Sequence, residues 1–167
     1  QWNWDSGFIA LGLATYRPDR ALLEMQTLFA AQWANGMVPH IVFNEAGLGR
    51  YFPGPDFWQV TRSPHAPAHG LTSGITQPAV HGFVLHQLLA RGVDAGAVGA
   101  LVPRVMALHR HLYRERDPDR QGLVYIRHPW ESGNDNAPTW DGPLQRIDPT
   151  QLVIPPYTRQ DLRHVDD

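Results

Sequence analysis

Residues 78–116 read PAVHGFVLHQLLARGVDAGAVGALVPRVMALHRHLYRER and contain two helical patterns in succession. In the first pattern, apolar residues recur at helical spacing from about Pro78 until Gly92 ends the helix. In the second, Asp94 is placed to cap a helix whose apolar face runs to the charged residues 114–117. Pro103 marks either a kink in this helix or its true start. Two helices joined by so short a link predict an α-hairpin.

The residues before this hairpin predict a second pair of helices. A helix over residues 7–16, capped by Ser6, is apolar nearly all round, so we expect it to be buried on most sides. The next helix starts at Pro18 and keeps its spacing to Trp33, before a stop at residues 35–36. Thr76 is the expected cap of the helix that begins at Pro78. A short strand over residues 122–126 is the main extended element expected.

Residues 37–75 lose all periodicity and form a long loop rich in Gly, Pro and aromatic residues. Long structured loops in a compact domain usually carry function. Helices without strands to pair, with their special residues in loops, predict an all-α fold built from α-hairpins.

The composition excludes several classes of function. A net charge of −2 and a pI near 6.5 leave no basic surface for nucleic acid. No apolar run approaches the roughly eighteen residues of a membrane span. The chain has no Cys, which removes a thiolate nucleophile, and its nine His residues show no metal-binding spacing. We therefore expect a protein that binds no nucleic acid, membrane or metal ion. As a separate expectation, we place it in the cytoplasm.

The chemistry is concentrated in residues 128–141, HPWESGNDNAPTWD, which combine three carboxylates with two indoles. Gly and Pro hold this stretch in a turn. A carboxyl group in a partly dry aromatic pocket has a raised pKa and can act as a general acid near neutral pH. Such a group suits proton transfer beside a sugar ring. The alternative is a surface loop that happens to be rich in aromatic residues, and the loop by itself leaves both interpretations open.

Two further groups of residues fit a sugar site. In residues 1–6, QWNWDS, Trp2 and Trp4 are suited to wall a pocket, and Asp5 to grip sugar hydroxyls. The alternative is that Asp5 or Ser6 only caps a helix. Gln77 either stabilises a turn or points into a polar site at the loop end of the bundle.

Together, the segments QWNWDS (1–6), TSGITQP (72–78) and HPWESGNDN (128–136) resemble glycoside hydrolase family 63, specifically its mannosylglycerate hydrolase-like branch. The segments follow the family's order, and residues 159–166 add a fourth match. The resemblance implies an (α/α)6 toroid with its active site at the loop end. It also implies inverting hydrolysis of α-glycosides without a cofactor.

The resemblance assigns roles by motif. Asp135 matches the family's general acid, and Asp5 resembles a carboxylate that grips substrate. Glu131 matches an accompanying residue in the loop of the acid. The full substrate-binding set implied is Trp2, Trp4, Asp5, Gln77, Trp130, Glu131 and Gly133. We also expect the 37–75 loop to line the leaving-group subsite through Tyr51, Phe52 or Trp58.

The family's general base, a Glu, lies well downstream of the acid, beyond any residue of this chain. We therefore expect residues 1–167 to be a single partial catalytic domain, a fragment holding about half of the toroid. Its partners would be a small carbohydrate and the C-terminal half of the same barrel. Mannosyl- or glucosylglycerate, an α-disaccharide and short α-glucans all fit as substrates. A non-catalytic sugar-binding module and another (α/α)6 enzyme, a lyase or an epimerase, are the alternatives.

Overall fold

The computed structural model describes residues 1–135 and 137–146, and these residues confirm the all-α prediction. None of them forms a strand beyond two isolated antiparallel bridges, and none of their helices is long and apolar enough to cross a membrane. Short 3₁₀ helices lie at Glu45–Arg50, Val60–Arg62, Pro129–Ser132 and Pro138–Trp140. The α-helices of the described residues are α1 (Asn3–Leu13), α2 (Pro18–Ala30), α3 (Pro55–Trp58), α4 (His81–Ala90), α5 (Ala95–Gly99), α6 (Val102–Glu115) and α7 (Asp141–Leu144).

The core lies where α1, α2, α4 and α6 meet. Helix α1 packs against α2 and α4, and α4 in turn contacts α5 and α6. Small residues on α1 allow this approach, because a Cβ at Gly7 would come within 3.0 Å of Val84. Burying each large apolar side chain contributes about 1.5–3 kcal/mol. The largest apolar side chains that are completely buried here are Met25, Leu28, Phe29, Leu88 and Leu108.

The hairpin at residues 78–116 forms as expected, with adjusted ends. The Asp94 carboxylate accepts the Ala97 N–H at 2.7 Å, which confirms it as a helix cap. Pro103 lies in the first turn of α6, so it marks a helix start. The predicted cap at Thr76 was wrong: α4 begins at His81, and the Thr76 hydroxyl donates to the Val38 carbonyl instead.

The first helix differs from its prediction at both its start and its exposure. Helix α1 begins at Asn3, and Ser6 is a buried residue within it rather than its cap. The early start follows from a tertiary contact, because the Asn3 N–H donates to the His40 carbonyl at 2.9 Å. Phe8 and Ile9 are 50% and 52% exposed, so the helix is not buried on most sides. It buries one face against α2 and α4.

Two other local predictions were wrong. Helix α2 ends at Ala30, and Trp33 lies beyond it in a small buried cluster with Met37 and Val60. Residues 122–126 do not form a strand, because none of the described residues pairs with them as a neighbouring strand.

Residues 38–43 connect the segments that carry the motifs. On one side, the Val42 N–H donates to the Gln1 carbonyl at 2.8 Å. On the other, the His40 N–H donates to the Ile75 carbonyl at 2.6 Å. The N-terminus and residues 71–76 are therefore held on the two sides of this segment, at the end of the helices where the loops lie.

Candidate active site

A pocket of about 270 Å³ opens among these loops. It draws indoles from three parts of the chain: Trp2 at the N-terminus, Trp58 at the end of α3 and Trp130 in the 128–141 loop. Tyr51 and Phe52 add further aromatic walls. Among the described residues that line it, the charged side chains are Arg50 and Asp135. A concave apolar site with a few polar groups is typical of small-ligand binding.

The indoles are arranged around one buried histidine. The His40 ring stacks on Trp130, with ring centroids 6.2 Å apart and an angle of 17° between the planes. The edge of Trp2 meets His40 at 4.9 Å, and Trp58 packs against Trp130 at 6.2 Å. This packing fixes flat aromatic faces in the pocket, and such faces suit the C–H surface of a sugar ring.

The two histidines of this cluster contribute no charge near neutral pH. The pKa of His40 is lowered to about 4, chiefly by burial and to a smaller extent by nearby His128, while the Glu131 carboxylate partly opposes the shift. Burial also lowers the pKa of His128, whose Nδ1 accepts the Trp130 N–H at 3.2 Å. Both rings are therefore neutral at pH 7, and the pocket takes its charge from Arg50 and Asp135.

Glu131 lies beneath the pocket and is committed to a structural ion pair. It is 3% exposed, and its two oxygens accept hydrogen bonds from Arg116 at 2.7 Å each. The N–H groups of Arg127 and Thr76 also donate to it, at 2.7 and 3.2 Å. Burial raises the pKa of Glu131, but these four donors outweigh it and hold the pKa below its usual range. Glu131 is therefore ionised and positions the loop.

The three sequence motifs meet one another around Trp4. The Gln77 side-chain oxygen accepts the backbone N–H of Trp4 at 3.2 Å, and Gln77 is 5% exposed. On the other side, Gly133 lies directly against the Trp4 indole with φ of +72°, where a Cβ would overlap the ring. The Glu131 contact to Thr76 joins the second and third motifs as well. Segments far apart in sequence therefore form one site.

The residues predicted for the site fall into three groups. Trp2, Trp130 and Asp135 line the pocket, with Asp135 exposed. Asp5 is exposed in the first turn of α1 and does not line the pocket. Tyr51, Phe52 and Trp58 line it, as expected for the 37–75 loop. The residues that support the pocket walls through their contacts are Trp4, Gln77, Glu131 and Gly133.

Three important residues are only weakly indicated by the sequence. His40 belongs to none of the sequence motifs, yet it lies at the centre of the aromatic cluster. Arg116 belonged to an apparent charged surface run, but it is 4% exposed and pairs with Glu131. Arg50 belongs to no motif, and its position just before the aromatic pair at residues 51–52 was its only signal.

Within residues 1–135 and 137–146, no cluster of three or more His, Asp or Glu side chains could hold a metal ion. The charged run at residues 159–166, the fourth part of the resemblance, lies outside the described residues. The chemistry available in the described site is therefore that of one pocket carboxyl, one guanidinium and an aromatic wall.

Replacing Gly133 with Ala is expected to destabilise the chain by at least about 2 kcal/mol, since it combines left-handed backbone strain with overpacking against Trp4. Urea unfolding followed by tryptophan fluorescence measures the change. Gly12→Ala is the matched control: its Cβ would meet nothing within 4 Å, and it should stabilise α1 by about 0.5–1 kcal/mol. Equal effects at the two positions would contradict the proposed close packing.

The helical hairpins and the aromatic pocket at their loop end have the features expected of a glycoside hydrolase domain. The chain belongs to the mannosylglycerate hydrolase MGH1-like glycoside hydrolase family, whose sequence model matches residues 1–166. The resemblance seen in the sequence is thus confirmed, as is membership of a family of glycosidases.

Named relatives agree with this assignment. A mannosylglycerate hydrolase of Rubrobacter radiotolerans is 48% identical over an alignment of 169 positions, which covers 99% of this chain and 38% of that protein. A glucosylglycerate hydrolase of Mycolicibacterium hassiacum is 44% identical, over 96% of this chain and 37% of that protein.

The fold also matches a solved structure. The glycoside hydrolase family 63 mannosylglycerate hydrolase of Thermus thermophilus, in complex with Tris and D-glycerate, superposes with a TM-score of 0.81 at 46% identity. That match covers 98% of this chain and 38% of the other. The chain thus spans well under half the length of the relatives it matches, and the prediction of a partial toroid is confirmed.

Proposed function

We propose that residues 1–167 form a single partial catalytic domain that provides the acid side of an inverting α-glycosidase. The observation that carries this proposal is that two carboxyl groups in the same loop have different environments. Asp135 lines the aromatic pocket, whereas Glu131 is ionised and saturated with donors below it. Of these two groups, Asp135 is therefore the one suited to give a proton to a substrate.

In this mechanism, protonated Asp135 donates its proton to the glycosidic oxygen as the bond to the anomeric carbon breaks. The transition state resembles an oxocarbenium ion. A second carboxylate removes a proton from water, which attacks the opposite face of the ring. Inverting enzymes hold the two carboxyl groups about 6.5–9.5 Å apart to admit that water. We propose that a Glu outside this chain provides the second group.

The remaining residues would hold the sugar. Trp2 and Trp130 offer faces for stacking and exclude water from the breaking bond. The Gln77 side-chain oxygen accepts the backbone N–H of Trp4 in α1. Its amide nitrogen is therefore left to donate to a sugar hydroxyl. Asp5 is exposed in the first turn of α1, and its carboxylate would accept hydrogen bonds from hydroxyls of a sugar that extends beyond the pocket. No part of this arrangement requires a cofactor.

The substrate class follows from the relatives, which are named mannosylglycerate and glucosylglycerate hydrolases. We propose a small α-mannoside or α-glucoside whose leaving group is glycerate. A pocket of about 270 Å³ is small, which suits such a compact glycoside. Longer α-glucans would have to extend out of it.

The test places this chain in a complete enzyme. The segment of the Rubrobacter radiotolerans protein that matches this chain is replaced by this chain, giving what we call the swapped enzyme. Circular dichroism checks that it folds. Incubation with α-mannosylglycerate should release mannose, and proton NMR in the first minutes should show the β-anomer because the configuration inverts.

Other outcomes of this experiment would refute the proposal. The α-anomer as the first product would mean a retaining mechanism. An unsaturated product that absorbs in the ultraviolet would indicate a lyase. A folded swapped enzyme that binds the glycoside without cleaving it would favour a sugar-binding module.

A further inference from the structure

We propose that His128 is a positioning residue: its neutral ring, with the proton on Nε2, holds in place the Trp130 wall of the pocket and the Glu131 carboxylate below it. The inference rests on the proposed function, because a misplaced wall matters only if the pocket binds a sugar. His128 is not among the described residues that line the pocket, and it acts through the two residues that follow Pro129.

The first observation is that His128 caps the short 3₁₀ helix Pro129–Ser132. Its backbone is extended, with φ of −143° and ψ of 139°. Its Nδ1 accepts the backbone N–H of Trp130 at 3.2 Å, and its carbonyl accepts the backbone N–H of Glu131 at 2.9 Å. The side-chain acceptor at such a position is usually Asn, Asp, Ser or Thr. His128 thus fixes the direction in which the Trp130 and Glu131 side chains leave the backbone.

The second observation is the position of the His128 ring among the indoles. Its centroid lies 4.7 Å from that of Trp130 and 6.5 Å from that of Trp58. Trp58 and Trp130 also contact each other, so the three rings form one packed group. Both indoles are walls of the pocket. A change in the orientation of His128 would therefore shift the aromatic surface against which a sugar stacks.

The hydrogen bond to Trp130 requires one particular form of the imidazole. An N–H group must meet an unprotonated nitrogen, so Nδ1 carries no proton and the single proton of the neutral ring is on Nε2. A second proton would place two N–H groups face to face and break the cap. Burial keeps the ring neutral by lowering the pKa of His128. The cap is therefore complete near neutral pH and is lost as pH falls through the pKa of the folded state.

The groups that face His128 agree with this protonation state. Burial has the largest effect on the pKa of His128, and the Glu131 carboxylate opposes it, but that carboxylate is paired with Arg116. From residues 38–43 the facing group is His40, which is neutral at pH 7. From α3 it is the uncharged indole of Trp58. These described neighbours are thus two uncharged rings and one balanced ion pair.

Two neutral replacements separate the cap from the ring. Asn places its side-chain oxygen where Nδ1 lies and is itself a common cap, whereas the longer Gln places its amide where Nε2 lies. In the swapped enzyme, His128→Gln should lower kcat/KM for α-mannosylglycerate by about threefold to thirtyfold more than His128→Asn does. That difference is the equivalent of one lost helix cap, about 0.5–2 kcal/mol.

His69 provides the control for these replacements. Its Nδ1 accepts the backbone N–H of Leu71 at 3.0 Å, which is the same local hydrogen bond, but it is exposed and does not line the pocket. His69→Asn and His69→Gln should therefore differ in kcat/KM by less than about twofold.

Two further measurements would not respond to a purely structural role. The ratio of kcat/KM in the parent swapped enzyme to that in His128→Asn should fall as pH is lowered from 7 to about 5, because only the parent has a ring at this position that can gain a proton. Nitrogen NMR of the swapped enzyme with isotope-labelled histidine reports the tautomer. The signal that His128→Asn removes should show the proton on Nε2 at pH 7.

Three results would each overturn the inference: equal activities of the His128→Asn and His128→Gln variants, a ratio that does not change with pH, or a proton on Nδ1 at pH 7. Failure of the parent swapped enzyme to cleave α-mannosylglycerate would instead overturn the proposed function. In that case the NMR measurement would still decide whether His128 caps Trp130 in the assigned tautomer.

Discussion

Asp135→Asn in the swapped enzyme is expected to lower kcat for α-mannosylglycerate by about a hundredfold to ten-thousandfold, the usual contribution of a general acid. The amide keeps the size of the carboxyl group but cannot give up a proton to the leaving oxygen. Asp135 is exposed at the pocket, so the fold should not change. Steady-state kinetics measures the loss, and circular dichroism checks the fold.

A second substrate separates proton donation from other effects of this substitution. A dinitrophenyl α-mannoside has a leaving group that departs without protonation. Its hydrolysis should therefore fall far less with Asp135→Asn than that of mannosylglycerate. Equal losses on both substrates would show that Asp135 does not act as the acid.

Asp141 is the matched control, because it is a third carboxylate of the same loop and does not line the pocket. It lies in the first turn of α7, where a negative charge favours the positive end of the helix dipole. Asp141→Asn should leave kcat within a few-fold of the parent enzyme. A loss as large as that of Asp135→Asn would mean that the loop is simply sensitive to any loss of charge.

The longer helices, α1, α2, α4 and α6, could be predicted because each follows local periodicity. The four-residue helices α3 and α7 were not predicted, because they are too short to show a periodic pattern. The α4–α6 hairpin follows from apolar spacing. Asp94 marks one internal boundary through its side-chain cap, and Pro103 marks the other through its fixed backbone conformation. Where a boundary depends on a distant segment, the prediction failed. Helix α1 begins early because the Asn3 N–H finds the His40 carbonyl, and sequence spacing contains no trace of that contact.

The residues of the site also fall into those that could be predicted from the sequence and those that could not. Asp135, Trp2 and Trp130 could be found because their residue types suit sugar chemistry and lie in recognisable motifs. His40 could not, because a buried neutral histidine and a solvated one look alike in sequence. Arg116 is a similar case: its neighbours are charged, and only the folded chain shows that it is buried against Glu131. Partners fifteen residues apart across irregular loops leave no periodic signal.

Glu131→Gln is expected to destabilise the 167-residue chain by about 3–5 kcal/mol, the usual result of removing one partner from a buried ion pair. The amide keeps the shape of the side chain but leaves the Arg116 guanidinium charged and buried, at 4% exposure. Urea unfolding followed by tryptophan fluorescence measures the change. Glu115→Gln is the control, because its pair with Arg114 is exposed and should be worth less than about 1 kcal/mol.

The Glu131–Arg116 ion pair also predicts how the difference in stability between the parent chain and Glu131→Gln depends on pH. The pKa of Glu131 is lower in the folded chain than in the unfolded one. Its contribution is therefore complete above the unfolded pKa of about 4.3 and is lost as pH falls through the folded value. The gap in stability between the parent chain and Glu131→Gln should be constant from pH 7 to about 5 and should narrow below pH 4.

A double substitution decides whether Glu131→Gln destabilises the chain because it leaves the buried Arg116 charge unpaired. Replacing Glu131 with Leu and Arg116 with Met removes both charges together, and an apolar pair of similar volume can be nearly as stable as a buried ion pair. The double variant should therefore regain much of the stability that Glu131→Gln loses. If it is less stable than Glu131→Gln, the hydrogen bonds that Glu131 accepts from the Thr76 and Arg127 N–H groups matter more than the ion pair. In that case Glu131 stabilises the site chiefly by satisfying the backbone of the two loops that it joins.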